Sequence, residues 1–104
     1  MSLQEQLTAR KQEARAQSSP EVKDTQLRDL KKLAESGIIE AAPKVGDSLK
    51  DFELPNHRGE ITRLADLRQK GPVVVTFYRG GWCPYCNLEL RAYQQVLPQI
   101  KEAG

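Results

Sequence analysis

Cysteine, tryptophan, histidine and long apolar runs are all scarce in this sequence. Its 104 residues include two cysteines, one tryptophan and one histidine. No segment approaches the roughly 18 consecutive apolar residues that a membrane span needs, and the N-terminus lacks the apolar core of a signal peptide. Sixteen basic and fourteen acidic residues leave a formal charge of +2, too balanced to indicate a nucleic-acid or membrane partner. We therefore expect a cytoplasmic protein with neither kind of partner.

The two cysteines lie close together, in the stretch RGGWCPYC at residues 79–86. In a reducing compartment, such a Cys-x-x-Cys pair is more typical of catalysis or metal binding than of a structural disulfide. The stretch also contains the only tryptophan, Trp82. The pair is therefore the first candidate for a functional site.

Residues 1–42 are predicted to form a helical N-terminal extension. Residues 2–17 favour helix by composition but offer few apolar residues to bury. The stretch SSPE predicts a second helix start, with Ser18 or Ser19 as N-cap, Pro20 in the first turn, and Glu21 completing a capping box with Ser18. An apolar stripe at helical spacing follows, and Gly37 suits the C-terminal end of that helix. A packing arm is the simplest interpretation of the extension, with dimerisation as the alternative.

Residues 43–104 are predicted to form the main α/β domain. Alternating residues around the turn-rich PNHRGE predict a short hairpin, and LADL predicts a single helical turn. The run PVVVTFY at 72–78 is apolar on both alternating faces, as in a central strand covered on both sides. Residues 84 to about 103 have the apolar spacing of an amphipathic helix.

The cysteine pair is thus predicted at the junction of a strand and a helix. Unpaired backbone N–H groups and the helix dipole stabilise a thiolate there and lower its pKa. Pro84 fits the first helical turn. Cys86 follows Cys83 by one turn on the same side, so the two sulfurs can close a disulfide, and Arg79 adds positive charge. Helix geometry favours Cys83 as the more exposed thiol.

Other interpretations of the pair remain open at this point. A structural zinc needs four ligands, and the two cysteines with His57 offer three at most within one chain, so a metal would have to be shared between chains. The cysteines could instead be inert buried residues. His57 sits in a turn and is expected to be exposed, and Trp82 is interpreted as a packing lid beside the thiols. No nucleotide loop, metal cage or cofactor motif is visible, so we expect no cofactor.

The stretch VGDSLKDFELPNHRGEITRLADLRQKGPVVVTFYRGGWCPYCNLELRAYQ resembles the alkyl hydroperoxide reductase and thiol-specific antioxidant (AhpC/TSA) family, the peroxiredoxins, which have a thioredoxin-like fold. The resemblance runs from about Lys44 to the C-terminus. It implies a thiol peroxidase that reduces hydrogen peroxide or alkyl hydroperoxides and is recycled by thioredoxin or glutathione. CPYC is also the motif of glutaredoxins, so a thiol–disulfide oxidoreductase is the alternative.

Two alignments assign opposite roles to the cysteines. The family pattern Pro-x-x-x-Thr-x-x-Cys, laid on RGGWCPYC, puts Arg79 at the proline, Cys83 at the threonine and Cys86 at the peroxide-reactive cysteine. Laid on a thioredoxin, Cys83 is the attacking thiol and Cys86 the resolving one. Both assignments stay open.

The resemblance covers only the N-terminal half of a thioredoxin-like domain, which would need further strands after the last helix. We therefore expect an incomplete thioredoxin-like fold, preceded by two helices. The chain would be either a fragment or a homo-oligomer in which another copy completes the sheet, for example by domain swapping. A non-catalytic module that works only through association is a further alternative.

Overall fold

The computed structural model describes residues 1–104, which divide into two compact units, Met1–Ser48 and Leu49–Gly104. The first unit contains only helices, and the second contains a small sheet and the helix that carries the cysteines. The elements in chain order are α1 Leu3–Gln17, α2 Pro20–Glu35, α3 Ile38–Ala41, β1 Glu53–Pro55, β2 Ile61–Arg63, α4 Leu64–Arg68 and α5 Pro84–Glu102. No helix is both long enough and apolar enough to cross a membrane.

The two predicted N-terminal helices are present, but their caps differ in part from the prediction. Ser19 caps α2 by accepting a hydrogen bond from the backbone N–H of Val22, and Pro20 opens the helix. The capping box lies instead at the start of α1, where Ser2 and Glu5 exchange hydrogen bonds. Ser18 cannot form a box with Glu21 because it belongs to the end of α1, where its hydroxyl donates to the Ala14 carbonyl.

Gly37 ends the α2 segment as the sequence predicted. Its φ of +84° is a left-handed conformation that an L side chain rarely adopts. The chain then makes one further helical turn, α3, which was not among the predicted elements. Four residues bury too little surface to show an apolar periodicity, so no pattern identifies such a turn.

The predicted hairpin is confirmed in the second unit. Strands β1 and β2 pair antiparallel, with Leu54 opposite Thr62. In the connecting turn, the Asn56 side chain accepts hydrogen bonds from the backbone N–H groups of Arg58 and Glu60. An ion pair between Arg63 and Glu53, with 2.9 Å between Nε and Oε1, crosses the strands on the exposed surface. Short strands therefore owe their register to the turn as well as to backbone pairing.

The predicted single helical turn is also present, as α4. It follows β2 directly, and the backbone N–H of Leu64 donates to the Phe52 carbonyl just before β1. Leu64 is one of only three residues classed as buried, together with Cys83 and Cys86.

The predicted central strand at residues 72–78 is wrong for this structure. Residues 72–79 make no backbone hydrogen bond to other backbone groups, and the only sheet contains β1 and β2. A strand exists only where neighbouring strands satisfy its N–H and C=O groups, and none lies beside this segment. Its faces are not covered either, since Phe77 is 89% exposed. Apolar residues on both faces indicate that a segment can be buried as a central strand, but no neighbouring strand pairs with this segment.

Candidate dithiol site

Both cysteines lie at the first turn of α5, where the predicted helix begins at Pro84. Cys83 is the N-cap, and its sulfur accepts a hydrogen bond from the backbone N–H of Cys86, with 3.3 Å between the two atoms. Pro84 occupies the first helical position, where a missing N–H costs nothing. A cysteine thus takes the place that serine, threonine or aspartate usually fills at a helix start.

The two sulfurs are in direct contact. The Cys86 thiol donates to the Cys83 sulfur, and the two Sγ atoms are 2.7 Å apart. Both cysteines are free thiols. This arrangement brings together the two groups needed to form a disulfide without rearranging the helix, because they differ by a single turn.

The expectation that Cys83 is the more exposed thiol is wrong. Cys83 is 1% exposed and Cys86 is 9% exposed. The reason is the capping geometry: the Cys83 side chain turns back over the helix end to meet the Cys86 N–H and S–H groups instead of projecting outward. Helical spacing predicts the direction of a side chain inside a helix, and Cys83 precedes the first helical residue.

The contact between the thiols shifts the pKa values of the two cysteines in opposite directions. The pKa of Cys83 is lowered, chiefly because the Cys86 thiol donates a hydrogen bond to its sulfur, with further help from the backbone of the first turn and the charge of Arg79; burial opposes these effects. The pKa of Cys86 is raised, first by that same hydrogen bond, in which the Cys86 proton is shared with Cys83, and also by burial and by the Cys83 charge; a hydrogen bond from the Arg79 backbone and the Arg79 charge act in the opposite direction. Of the two cysteines, Cys83 is therefore the one whose thiolate is stabilised, chiefly by the Cys86 thiol.

Arg79 and Trp82 lie together in the loop before α5. The guanidinium carbon of Arg79 is 5.0 Å from the centre of the Trp82 ring, within the range of a cation–π contact. Trp82 is 71% exposed, so it is a surface residue and not the packing lid that the sequence suggested. His57 lies in the exposed turn of the hairpin, as expected. No group of three His, Cys, Asp or Glu side chains is placed to hold a metal ion.

Asn87, which the sequence analysis did not single out, ties this loop to the helix. Its side-chain N–H donates to the Gly81 carbonyl at 2.9 Å, and its side-chain oxygen accepts from the Tyr78 hydroxyl at 3.4 Å. The only sequence signal is a polar residue directly after the second cysteine. Such a signal does not distinguish a loop anchor from an ordinary solvent-facing residue.

A substitution at Gly80 is expected to disturb the Arg79–Trp82 contact. A Cβ at Gly80 would clash with the Trp82 indole nitrogen, and the φ of Gly80 is +151°. In Gly80→Ala the ring must move, so we expect stronger quenching of tryptophan fluorescence by acrylamide and a loss of about 1 kcal/mol of stability. Gly81→Ala is the matched control, because its Cβ would meet the Tyr78 hydroxyl at an ordinary 3.5 Å. Equal acrylamide quenching and equal stability for wild type and Gly80→Ala would contradict the expectation.

Comparison with known proteins places residues 45–104 in a family. The model of the AhpC/TSA family matches residues 45–104. Two Mycobacterium tuberculosis proteins, from strains CDC 1551 / Oshkosh and H37Rv and each named "Putative peroxiredoxin", are 37% identical over 59 residues, which is 57% of this chain and 38% of each relative. The "Thiol-disulfide oxidoreductase ResA" of Geobacillus kaustophilus is 36% identical over 63 residues, covering 61% of this chain and 35% of that protein. No solved structure matches the chain significantly.

The family match begins just before the hairpin and includes both cysteines. The chain spans well under half the length of the curated relatives that it matches. The resemblance and the fold class that the sequence indicated are confirmed: helices and a two-stranded sheet of a thioredoxin-like protein, with two longer helices ahead of the matched region. With the family model matching more than half of its residues, this chain belongs to the AhpC/TSA family, whose members are peroxiredoxin-like and related thiol oxidoreductases.

Proposed function

We propose that the chain carries the dithiol centre of a thiol peroxidase that reduces hydrogen peroxide or alkyl hydroperoxides. The observation that carries this proposal is the 2.7 Å contact between the Cys83 and Cys86 sulfurs at the start of α5. The contact brings together the two protein groups that a peroxide-reducing cycle needs: a sulfur that is stabilised as the thiolate, and a neighbouring thiol that keeps its proton.

In the proposed cycle, the Cys83 thiolate attacks one oxygen of the peroxide and the O–O bond breaks. Cys83 becomes a sulfenic acid, and the other oxygen leaves as hydroxide or alkoxide and takes a proton from solvent. The Cys86 thiol then attacks the Cys83 sulfur, which releases water and forms the disulfide. An external dithiol, such as thioredoxin, or two molecules of glutathione return both cysteines to thiols.

This assignment chooses between the two alignments of the cysteines. The peroxiredoxin pattern favours Cys86 as the attacking residue, and the thioredoxin pattern favours Cys83. The lowered pKa of Cys83 and the raised pKa of Cys86 support Cys83, since the thiolate is the nucleophile. Arg79, Trp82 and Pro84 would support the centre through charge, ring contact and helix geometry respectively.

The test is stopped-flow fluorescence of the reduced protein mixed with hydrogen peroxide, followed by mass spectrometry. Trp82 adjoins Cys83 and is the only tryptophan, so its signal reports on the site. We expect a rapid fluorescence change and a product lighter by two hydrogens. Absence of both, with rapid oxidation by a small disulfide, would contradict the peroxidase proposal.

Thiol–disulfide exchange is the second candidate function. One support is the lowered pKa of Cys83 at the N-cap of α5, because attack on a disulfide needs the same thiolate. The other is the name of the Geobacillus kaustophilus relative. In this cycle, Cys83 attacks the disulfide of a partner, one partner thiolate leaves, and Cys86 resolves the mixed disulfide. Faster oxidation by oxidised glutathione than by peroxide would favour this function.

The location and assembly of the chain belong to the same proposal. A cytoplasmic location suits it, because a reducing compartment would keep the pair as thiols between turnovers. Association of copies into a homo-oligomer stays a prediction.

A further inference from the structure

The side chain of Asn87 uses both halves of its amide on one short loop segment. The N–H donates to the carbonyl of Gly81 and the oxygen accepts from the hydroxyl of Tyr78. The two contacts involve the first and last residues of the segment 78–81. The Gly81 carbonyl is held directly against the first turn of α5, and the Tyr78 hydroxyl adds a longer contact from the other end of the segment.

Arg79 is the charged residue between the two contacts. Its guanidinium contacts the Trp82 ring, and the backbone N–H of Cys83 donates to the Gly80 carbonyl, which closes the turn on the cysteine side. Asn87 also begins the helical backbone ladder, since its N–H donates to the Cys83 carbonyl. One residue thus joins the loop that carries the positive charge to the backbone of the attacking cysteine.

We propose that Asn87 is a positioning residue of the dithiol site, which fixes the Tyr78–Gly81 segment so that the Arg79 charge acts on Cys83. This inference rests on the proposed role of Cys83 as the thiolate. The groups that act on the Cys83 sulfur are the Cys86 thiol and backbone N–H, the backbone at Tyr85 and the Arg79 guanidinium. Arg79 is the only one of these groups that lies in the loop, so releasing the loop removes the direct effect of its charge on Cys83.

The experiment measures the rate of alkylation of Cys83 by iodoacetamide between pH 5.5 and pH 10, with the modified residue located by mass spectrometry. In Asn87→Ala the thiolate is less stabilised, so its fraction falls on the acid side of the profile. We expect the rate at neutral pH to fall about twofold, in keeping with the modest net value of a hydrogen bond at an exposed position. Above the pKa of both proteins the rates should converge.

This pH profile separates positioning from a general structural role. Local unfolding would expose the buried thiols and raise the rate at every pH, whereas loss of the Arg79 effect lowers it only on the acid side. Gln95→Ala is the matched control: it removes an exposed amide from the same helix and should leave the profile unchanged. An Asn87→Ala profile identical to that of wild type would overturn the proposal.

A double-mutant cycle tests the route through Arg79. Arg79→Gln alone should lower the acid-side rate, and adding Asn87→Ala to it should change nothing further, because the charge that Asn87 positions is gone. Full additivity would overturn the proposal. Alkylation requires no peroxide, so the outcome is independent of turnover: a chain inert to peroxide but with the expected profiles would contradict the proposed function and leave the role of Asn87 standing.

Discussion

Replacing Cys83 by serine is expected to abolish the reaction with peroxide. A serine hydroxyl stays protonated at neutral pH, so the variant has no nucleophile at the position where the thiolate forms. We expect the rate of peroxide consumption to fall by on the order of a thousandfold or more. The measurement is the second-order rate of peroxide loss with excess reductant.

Replacing Cys86 by serine is expected to give a different result. The difference between the two variants identifies which cysteine attacks the peroxide and which one resolves the sulfenic acid. Cys83 should still react once with peroxide, but its sulfenic acid has no neighbouring thiol to condense with. The product should be heavier by one oxygen and trapped by dimedone on Cys83, with turnover lost or slowed. If instead Cys83→Ser accumulated a dimedone adduct on Cys86 and Cys86→Ser were inert, the roles would be reversed and the peroxiredoxin alignment would be correct.

Most of the local structure could be predicted from the sequence, because its signals are short in range. Ser19 and Pro20 mark the start of α2, Gly37 marks its end, and the turn around Asn56 fixes the hairpin register. Each feature depends on contacts within a few residues. The apolar spacing of α5 is equally local, and the structure confirms its start at Pro84.

The segment at residues 72–78 shows where such reasoning stops. Its alternation describes side chains that can be buried on both faces, yet strand formation depends on neighbours that are distant in sequence or absent. In the structure, Phe77 and Val74 are exposed and the backbone is unpaired. The residue pattern indicates that a segment can form a strand. Whether it does depends on a neighbouring strand, which only the three-dimensional structure shows.

The sequence predicted that the two cysteines meet at the helix start, but it gave the wrong order of exposure for the two thiols and the wrong burial for Trp82. The loop that follows residues 72–78 does meet the start of α5. Both cysteines lie on one side of the first turn of that helix. The predicted order of exposure is wrong because helical spacing applies to residues inside the helix, whereas Cys83 is its cap. Capping reverses the direction of its side chain, and that reversal also creates the sulfur–sulfur hydrogen bond from which the separation of the two pKa values follows.

That hydrogen bond also predicts how Cys86→Ala changes the acidity of Cys83. The Cys86 thiol is the chief cause of the lowered pKa of Cys83, so removing it should return that pKa toward the ordinary range of a cysteine. At neutral pH and below, less Cys83 is then ionised. A hydrogen bond to a charged sulfur is among the stronger kinds, and a more basic thiolate is somewhat more nucleophilic, so we expect the alkylation rate of Cys83 to fall about three- to tenfold there.

At alkaline pH the difference in ionisation between the two proteins disappears. Once the pH exceeds the Cys83 pKa of both proteins, both are fully ionised, and the more basic thiolate of Cys86→Ala should react as fast as wild type or faster. The two profiles of rate against pH should therefore converge or cross. Cys86→Ser is the matched control, because its hydroxyl can still donate to the Cys83 sulfur and should keep much of the acid-side rate. If Cys86→Ala and Cys86→Ser gave the same profile as wild type, the thiol–thiol contact would not determine the acidity of Cys83, and the helix start and Arg79 would have to account for it alone.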